Sequence, residues 1–109
     1  VAEMPGIEIS QITLEHGVGE GVVIPIGDTA IVALRLGSAL IGCGVFDLAA
    51  FERLDFAAVR VSGIRTVADL LAAHVQAMNA PAAACGVQRG DTGRQAAEKL
   101  LAAGAKRGP

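Results

Sequence analysis

Apolar and polar residues alternate from Ile7 to Leu14, with Ile7, Ile9, Ile12 and Leu14 apolar and one slip between Ile9 and Ile12. Strict alternation predicts a half-buried strand, and the slip predicts a bulge. His16-Gly17 turns the chain. Val22-Val23-Ile24-Pro25-Ile26 predicts a second strand. Pro25 cannot donate to a ladder, so this strand is expected at an edge or to end there. Gly27-Asp28 turns into a third strand, Thr29 to Leu36, and Gly37-Ser38 into a fourth, Ala39 to Phe46. The fourth carries no charge, which predicts burial on both faces and a central place. The short connections make strands two to four an antiparallel meander.

The period then changes. Asp47 is placed to cap a short helix, Leu48 to Leu54, and Ala57 to Val61 predicts a fifth strand that returns through this crossover. Thr66-x-x-Asp69 is close to a capping box. Val67, Leu70, Leu71, Val75 and Met78 lie on one helical face, so the spacing predicts a helix over 67–78. Asn79 caps a further short turn that tolerates Pro81 and stops at Gly86. Thr92-x-x-Gln95 opens the last helix, Gly93 to Ala103, with Gly104 as its stop. The reading is an α+β domain over residues 7–103. A mostly antiparallel sheet of about five strands has the first four consecutive and the fifth after a short helix. The C-terminal helices pack on it. Residues 1–6 and 104–109 are expected to be flexible termini.

Composition narrows the function classes. The chain has 109 residues, the size of one domain. It is 52% hydrophobic but 3% aromatic, so the core must be built from aliphatic residues. The net charge of −2 comes with no clustered basic face, which argues against nucleic acid. No apolar run is long enough to predict a transmembrane helix. No basic region followed by an apolar one marks a leader, so the expected location is cytoplasmic and no membrane partner is expected. Cys43 and Cys85 fit no paired redox or metal motif and are expected to be free thiols. No His/Cys/Asp set has ligand spacing, so no metal site is expected, and the sequence names no cofactor.

Three segments occur in order: Gly42-Cys43-Gly44-Val45-Phe46-Asp47, Gly63-Ile64-Arg65-Thr66-x-x-x-Leu70-Leu71, and Gly86-Val87-x-x-Gly90-x-Thr92-Gly93-Arg94-x-Ala96. Together, over residues 7 to 101, they resemble the YunC-like family, small bacterial and archaeal proteins classed as a domain of unknown function. The resemblance implies a compact α+β domain and no assigned reaction. Relatives break the middle helix near the position of His74, which implies two pieces where periodicity draws one. This chain has Asp91 where many relatives have Met, and Gln95 where they have Glu.

Several residues are candidates for chemistry, each with a plainer role. Cys43, between two glycines at a strand end, is the candidate nucleophile, activated by a nearby cation such as Arg65. Its plainer role is a small buried residue. Arg65, beside the Thr66 cap, is placed to bind a carboxylate or phosphate, or else to pair with Asp47 or Asp69. Thr92, Gly93 and Arg94 open the last helix, where backbone N–H groups favour an anion. Asp91 opposes one there, and the plainer role is a cap. Asp47 is an N-cap or a carboxylate that orients a ligand.

These candidates support three readings. The favoured one is a domain that binds a small molecule or anion through Arg65, Thr92, Gly93, Arg94 and Asp47 around Cys43. The second is a thiol-dependent enzyme using Cys43, weakened because neither His16 nor His74 lies in a matching motif. The third is a structural or interaction protein without a ligand site. Arg65 and Arg94 are expected to face one shared concave surface. The helices from Thr66 and Thr92 can cover only one face of the sheet. The other face would expose Val, Ile and Leu, so self-association, as a dimer, is expected.

Overall fold

The computed structural model describes residues 6–107, and side chains as far as Gly104. The expectations for residues 1–5 and 108–109 lie outside it. Six strands form one sheet in sequential order: β1 (Glu8–Leu14), β2 (Gly17–Ile26), β3 (Thr29–Leu36), β4 (Ala39–Gly42), β5 (Ala58–Arg60) and β6 (Ala77–Met78). All neighbours are antiparallel except β4 and β5, which are parallel and joined through α1 (Leu48–Arg53). The remaining helices are α2 (Val67–Ala72), α3 (Ala80–Ala84) and α4 (Gly93–Arg107). The α+β class and the mostly antiparallel sheet with a C-terminal helix on it are as the pattern predicts.

Alternation sorts the sheet into two faces. Leu14, Val23, Val32, Leu34, Leu36, Ile41 and Val59 are buried on one, beneath α2 and α4. On this face β2 carries Gly19 and Gly21 in place of large residues. A Cβ on Gly21 would lie 2.6 Å from Val67 of α2, and one on Gly19 would lie 2.9 Å from Leu36. The missing side chains let the helix layer and the neighbouring strand close onto β2. They also explain why the sequence pattern shows a start at Val22 while β2 begins at Gly17: its early core positions include these glycines, so no apolar alternation marks them.

The opposite face is covered only in part. Gly42 points to it, and the Phe46 ring lies against the Gly42 Cα. Phe46 in turn meets Phe51 of α1, with ring centroids 6.2 Å apart. The crossover helix therefore covers β4 and β5 from this side. Over β1 to β3 the same face stays open, with Ile9 77%, Ile26 51% and Val18 46% exposed.

Several boundaries differ from expectation. β1 pairs without interruption from Glu8↔Val23 to Leu14↔Gly17, so the slip makes no bulge. The odd step from Ile9 to Ile12 simply puts Ile9 on the open face and Ile12 on the core face. β2 is an inner strand, not an edge. Pro25 is tolerated because it lies past Val23, where the β1 pairing stops. β4 ends at Gly42, and Cys43 to Phe46 form a turn closed by a 3.2 Å bond from Phe46 N–H to Cys43 O.

The helix expected over 67–78 stops at Ala72, where Ala73 turns extended at φ −71°, ψ 158°. Tertiary contacts capture the next residues of the chain. Ala73 O accepts from Gly93 N–H at 2.7 Å, Val75 N–H donates to Asp91 O at 2.8 Å, and Gln76 N–H donates to Arg60 O at 2.9 Å. Ala77 and Met78 then add a sixth strand to β5. The break agrees with the two pieces that the family resemblance implies. Finally, α4 passes through Gly104 and runs on to Arg107.

Asn79 is the one buried polar side chain among the described residues, 4% exposed. Its Oδ1 accepts from Ala58 N–H and Ala82 N–H, both at 3.1 Å, and its Nδ2 donates to Phe56 O at 2.8 Å. We predict that Asn79→Ala costs about 2–4 kcal/mol, because it strands buried donors and an acceptor together. Urea denaturation at neutral pH measures this.

Candidate functional site

The parallel strands β4 and β5 end side by side, and β3, antiparallel to β4, begins at that same end. Their loops therefore converge. Cys43 leaves β4 with its N–H bonded to Val32 O at 3.1 Å, and Val61 leaves β5 with its N–H bonded to Gly42 O at 3.0 Å. Between these loops lies a concavity of about 420 Å³ lined by Thr29, Cys43, Gly44, Ser62, Gly63 and Arg65, among others. A neighbouring depression of about 660 Å³ at the Gly27–Asp28 turn shares Thr29, Ala30 and Arg65 with it.

Arg65 stands where the two meet. Its backbone N–H donates to Asp69 Oδ2 at 3.0 Å, while Thr66 Oγ1 accepts from Asp69 N–H at 3.0 Å. Asp69 is one methylene shorter than the Glu of a full capping box, and it takes the N–H of Arg65 in place of that of Thr66. Its carboxylate thus serves the helix start. The Arg65 guanidinium has no ion-pair or hydrogen-bond partner among the described residues. The backbone N–H groups of Gly44, Val45, Ser62 and Gly63 likewise donate to no described acceptor. Asp28 is the one acidic group among the described residues of the adjoining depression. Cys43 is 7% exposed and lines the concavity, and among the described residues no histidine or carboxylate lines it.

The structure brings Cys43 and Arg65 together. Asp47, Thr92, Gly93 and Arg94 are not in the lining. Asp47 caps α1, with Oδ1 accepting from Ala49 N–H at 3.0 Å and Ala50 N–H at 3.4 Å. Thr92 and Gln95 form a reciprocal capping box at 2.8 and 3.1 Å. Gly93 lets α4 abut α2, for a Cβ there would overlap the Leu70 carbonyl. In the opening turn of α4 the N–H groups of Thr92, Gly93, Gln95 and Ala96 donate to Gln95 Oε1, Ala73 O, Thr92 Oγ1 and Thr92 O. Asp91 accepts from Gln88 N–H at 2.9 Å and from Lys99 Nζ at 2.8 Å.

A second concavity, about 340 Å³, has no counterpart in the sequence pattern. It lies at the other end of the sheet, where the turns at Glu15-His16 and Gly37-Ser38 meet Cys85 and the end of α4. His16 Nδ1 lies 2.7 Å from Glu98 Oε1, and Glu98 also accepts from the N–H groups of Glu15 (2.9 Å) and His16 (3.0 Å). No local signal links residues more than eighty positions apart, so only the fold reveals this group.

Both buttressed carboxyls are held below their ordinary values. For Glu98, burial pushes the pKa up, but the hydrogen bonds from Glu15 and His16 and the charge of His16 outweigh it. For Asp91, burial again pushes up and is outweighed by Lys99 and the Gln88 N–H.

Comparison with known proteins adds family and fold. A sequence profile for the family described as "Domain of unknown function (DUF1805)" matches residues 42–100. The crystal structure of a protein of unknown function, TA1206 from Thermoplasma acidophilum, superposes with a TM-score of 0.81 at 24% identity. The match covers 91% of this chain and 99% of that one, and shows the shared fold. No curated protein matches the chain.

This geometry has two measurable consequences. Depressed carboxyl pKa values contribute stability that is present above the unfolded-state pKa and lost as pH falls through the folded-state one. Acid unfolding should therefore steepen below roughly pH 4, and Glu98→Gln or Asp91→Asn should flatten that limb in denaturation midpoints measured against pH. Native thiol labelling at neutral pH should modify half-buried Cys85 before buried Cys43. Peptide mass mapping over time reads the order, and faster labelling of Cys43 than of a free model thiol would instead favour a nucleophile.

Proposed function

The chain belongs to the DUF1805 family, with more than half its length inside the matching segment, and from that premise we propose that it binds a small anionic ligand at the Cys43–Arg65 concavity. The three motifs that resemble YunC-like proteins all fall within residues 42–100, so we take the two descriptions to denote one family. The observation that carries the binding reading is the Arg65 guanidinium without a carboxylate partner among the described residues, set on the rim of a concave surface. Around it stand the hydroxyls of Ser62 and Thr29 and backbone N–H groups with no described acceptor. A phosphate or carboxylate meets such a set with charge-assisted bonds, and a planar guanidinium adds bidentate geometry. Ser62, Gly63 and Gly44 keep the approach to the backbone open.

Cys43 serves here as an inert, small floor. A thiol nucleophile needs a base within hydrogen-bond reach. Among the residues lining this concavity there is none, and His16 is committed to Glu98 at the other end of the sheet. Binding is therefore the reading best supported for this site.

A thermal-shift and calorimetric titration with inorganic phosphate, sulfate and small mono- and dicarboxylates tests it. We expect a saturable stabilisation by at least one of these, about 2.7 kcal/mol at a hundredfold excess over Kd. Arg65→Gln should weaken that binding at least about tenfold, the loss of one charge-assisted bond, with an unchanged far-UV spectrum. Affinity unaltered in the Arg65 variant would remove Arg65 from the site.

A further inference from the structure

We infer that the open face of β1 to β3 is an isologous interface, and that its occupant is a second copy of this chain. The face is built by alternation. Ile9, Gln11 and Thr13 come from β1. Val18, Glu20, Val22, Ile24 and Ile26 come from β2, and Thr29, Ile31, Ala33 and Arg35 from β3. α2 and α4 lie on the other side of these strands, and α1 covers β4 and β5 only. Ile9, Val18 and Ile26 are thus exposed on one face, and Val22, Ile24, Ile31 and Ala33 are only half-buried between them.

Charge decides which partner fits. Among the described residues the ionised groups on this face are Glu20 and Arg35, and they pair with each other. The surface is therefore neutral. It offers nothing to a polyanion or an acidic peptide, and no row of cations to an anionic bilayer. A copy of itself meets it without like-charge contact, apolar rows against apolar rows, in the manner of two stacked sheets about 10 Å apart. Two-fold symmetry then makes each contact count twice.

Area is consistent with this. A standard interface removes roughly 800 Å² from each partner. That is about an eighth of the 6314 Å² this chain exposes. The open face adjoins, through Arg35, an apolar groove of about 270 Å³ beside Leu40, Phe51 and Phe56, which extends the available patch. Contiguous apolar patches larger than a few hundred Å² are seldom left to water by monomers.

Sedimentation velocity of the full chain at micromolar concentration reads the outcome. The expected species has about twice the chain mass of 11.0 kDa. Ile9→Glu and Ile26→Glu replace side chains that a monomer already exposes, so each variant should keep its circular dichroism spectrum while shifting to monomer. Arg89→Glu, exposed in the loop before α4, should leave the dimer intact, as should Arg65→Gln. A wild-type monomer overturns the inference. So does a dimer that both isoleucine variants leave unchanged, which would place the contact elsewhere.

Discussion

One buried amide holds the crossover half of the domain together. Asn79 sits where β5, β6, α1 and α3 meet, and its side chain bonds backbone groups from three of these neighbourhoods at once. Its backbone N–H also reaches Ala58 O at 3.1 Å. β5 has only three residues and β6 two, so ladder bonds alone give these strands little cohesion. A polar side chain withdrawn from water is costly unless its donors and acceptors are met. Here they are met, and the position of α1 relative to the sheet depends on it. Beyond the other ends of β4 and β5, their loops shape the concavity that Cys43 and Arg65 line.

The other half relies on absent side chains. Gly21 admits Val67, and Gly93 admits the Leu70 carbonyl, so α2 and α4 lie close to the sheet and to each other. Leu34, Leu70, Ala96 and Ala97 are fully buried in this close layer. With so few aromatic residues, dense packing depends on short distances between backbones. The same economy leaves too little helix to cover both faces, and the uncovered face is the proposed interface. The domain thus separates two proposed roles. An end of the sheet presents the Arg65 guanidinium, unpaired among the described residues, beside N–H groups with no described acceptor, and a face of it presents apolar rows.

The break in the middle helix shows how local pattern and tertiary demand compete. Val75 and Met78 have helical spacing after Val67 and Leu71, and no proline or glycine in residues 73–78 forbids a helix. Yet Ala73, Val75 and Gln76 gain backbone partners from three separate residues, Gly93, Asp91 and Arg60. Once Gly93 has brought α4 against α2, continuing α2 would forfeit those bonds. The spacing is satisfied in the extended form as well, because Val75 still reaches the core.

Local signals in the chain were enough to establish the α+β class, the meander of β2 to β4, the crossover to β5, and the caps at Asp47, Thr66, Asn79 and Thr92. These depend on periodicity, turn residues and hydrogen bonds within a few positions. The sequence also marked Cys43 and Arg65 as candidates, although not that they share a concavity apart from Thr92 and Arg94. The start of β2, the end of α2, the sixth strand, the pairing of His16 with Glu98 and the choice of which sheet face stays open were settled only by the folded arrangement. Each of these depends on a contact between residues distant in the chain, where a glycine's missing side chain or a captured carbonyl counts for more than the pattern around it.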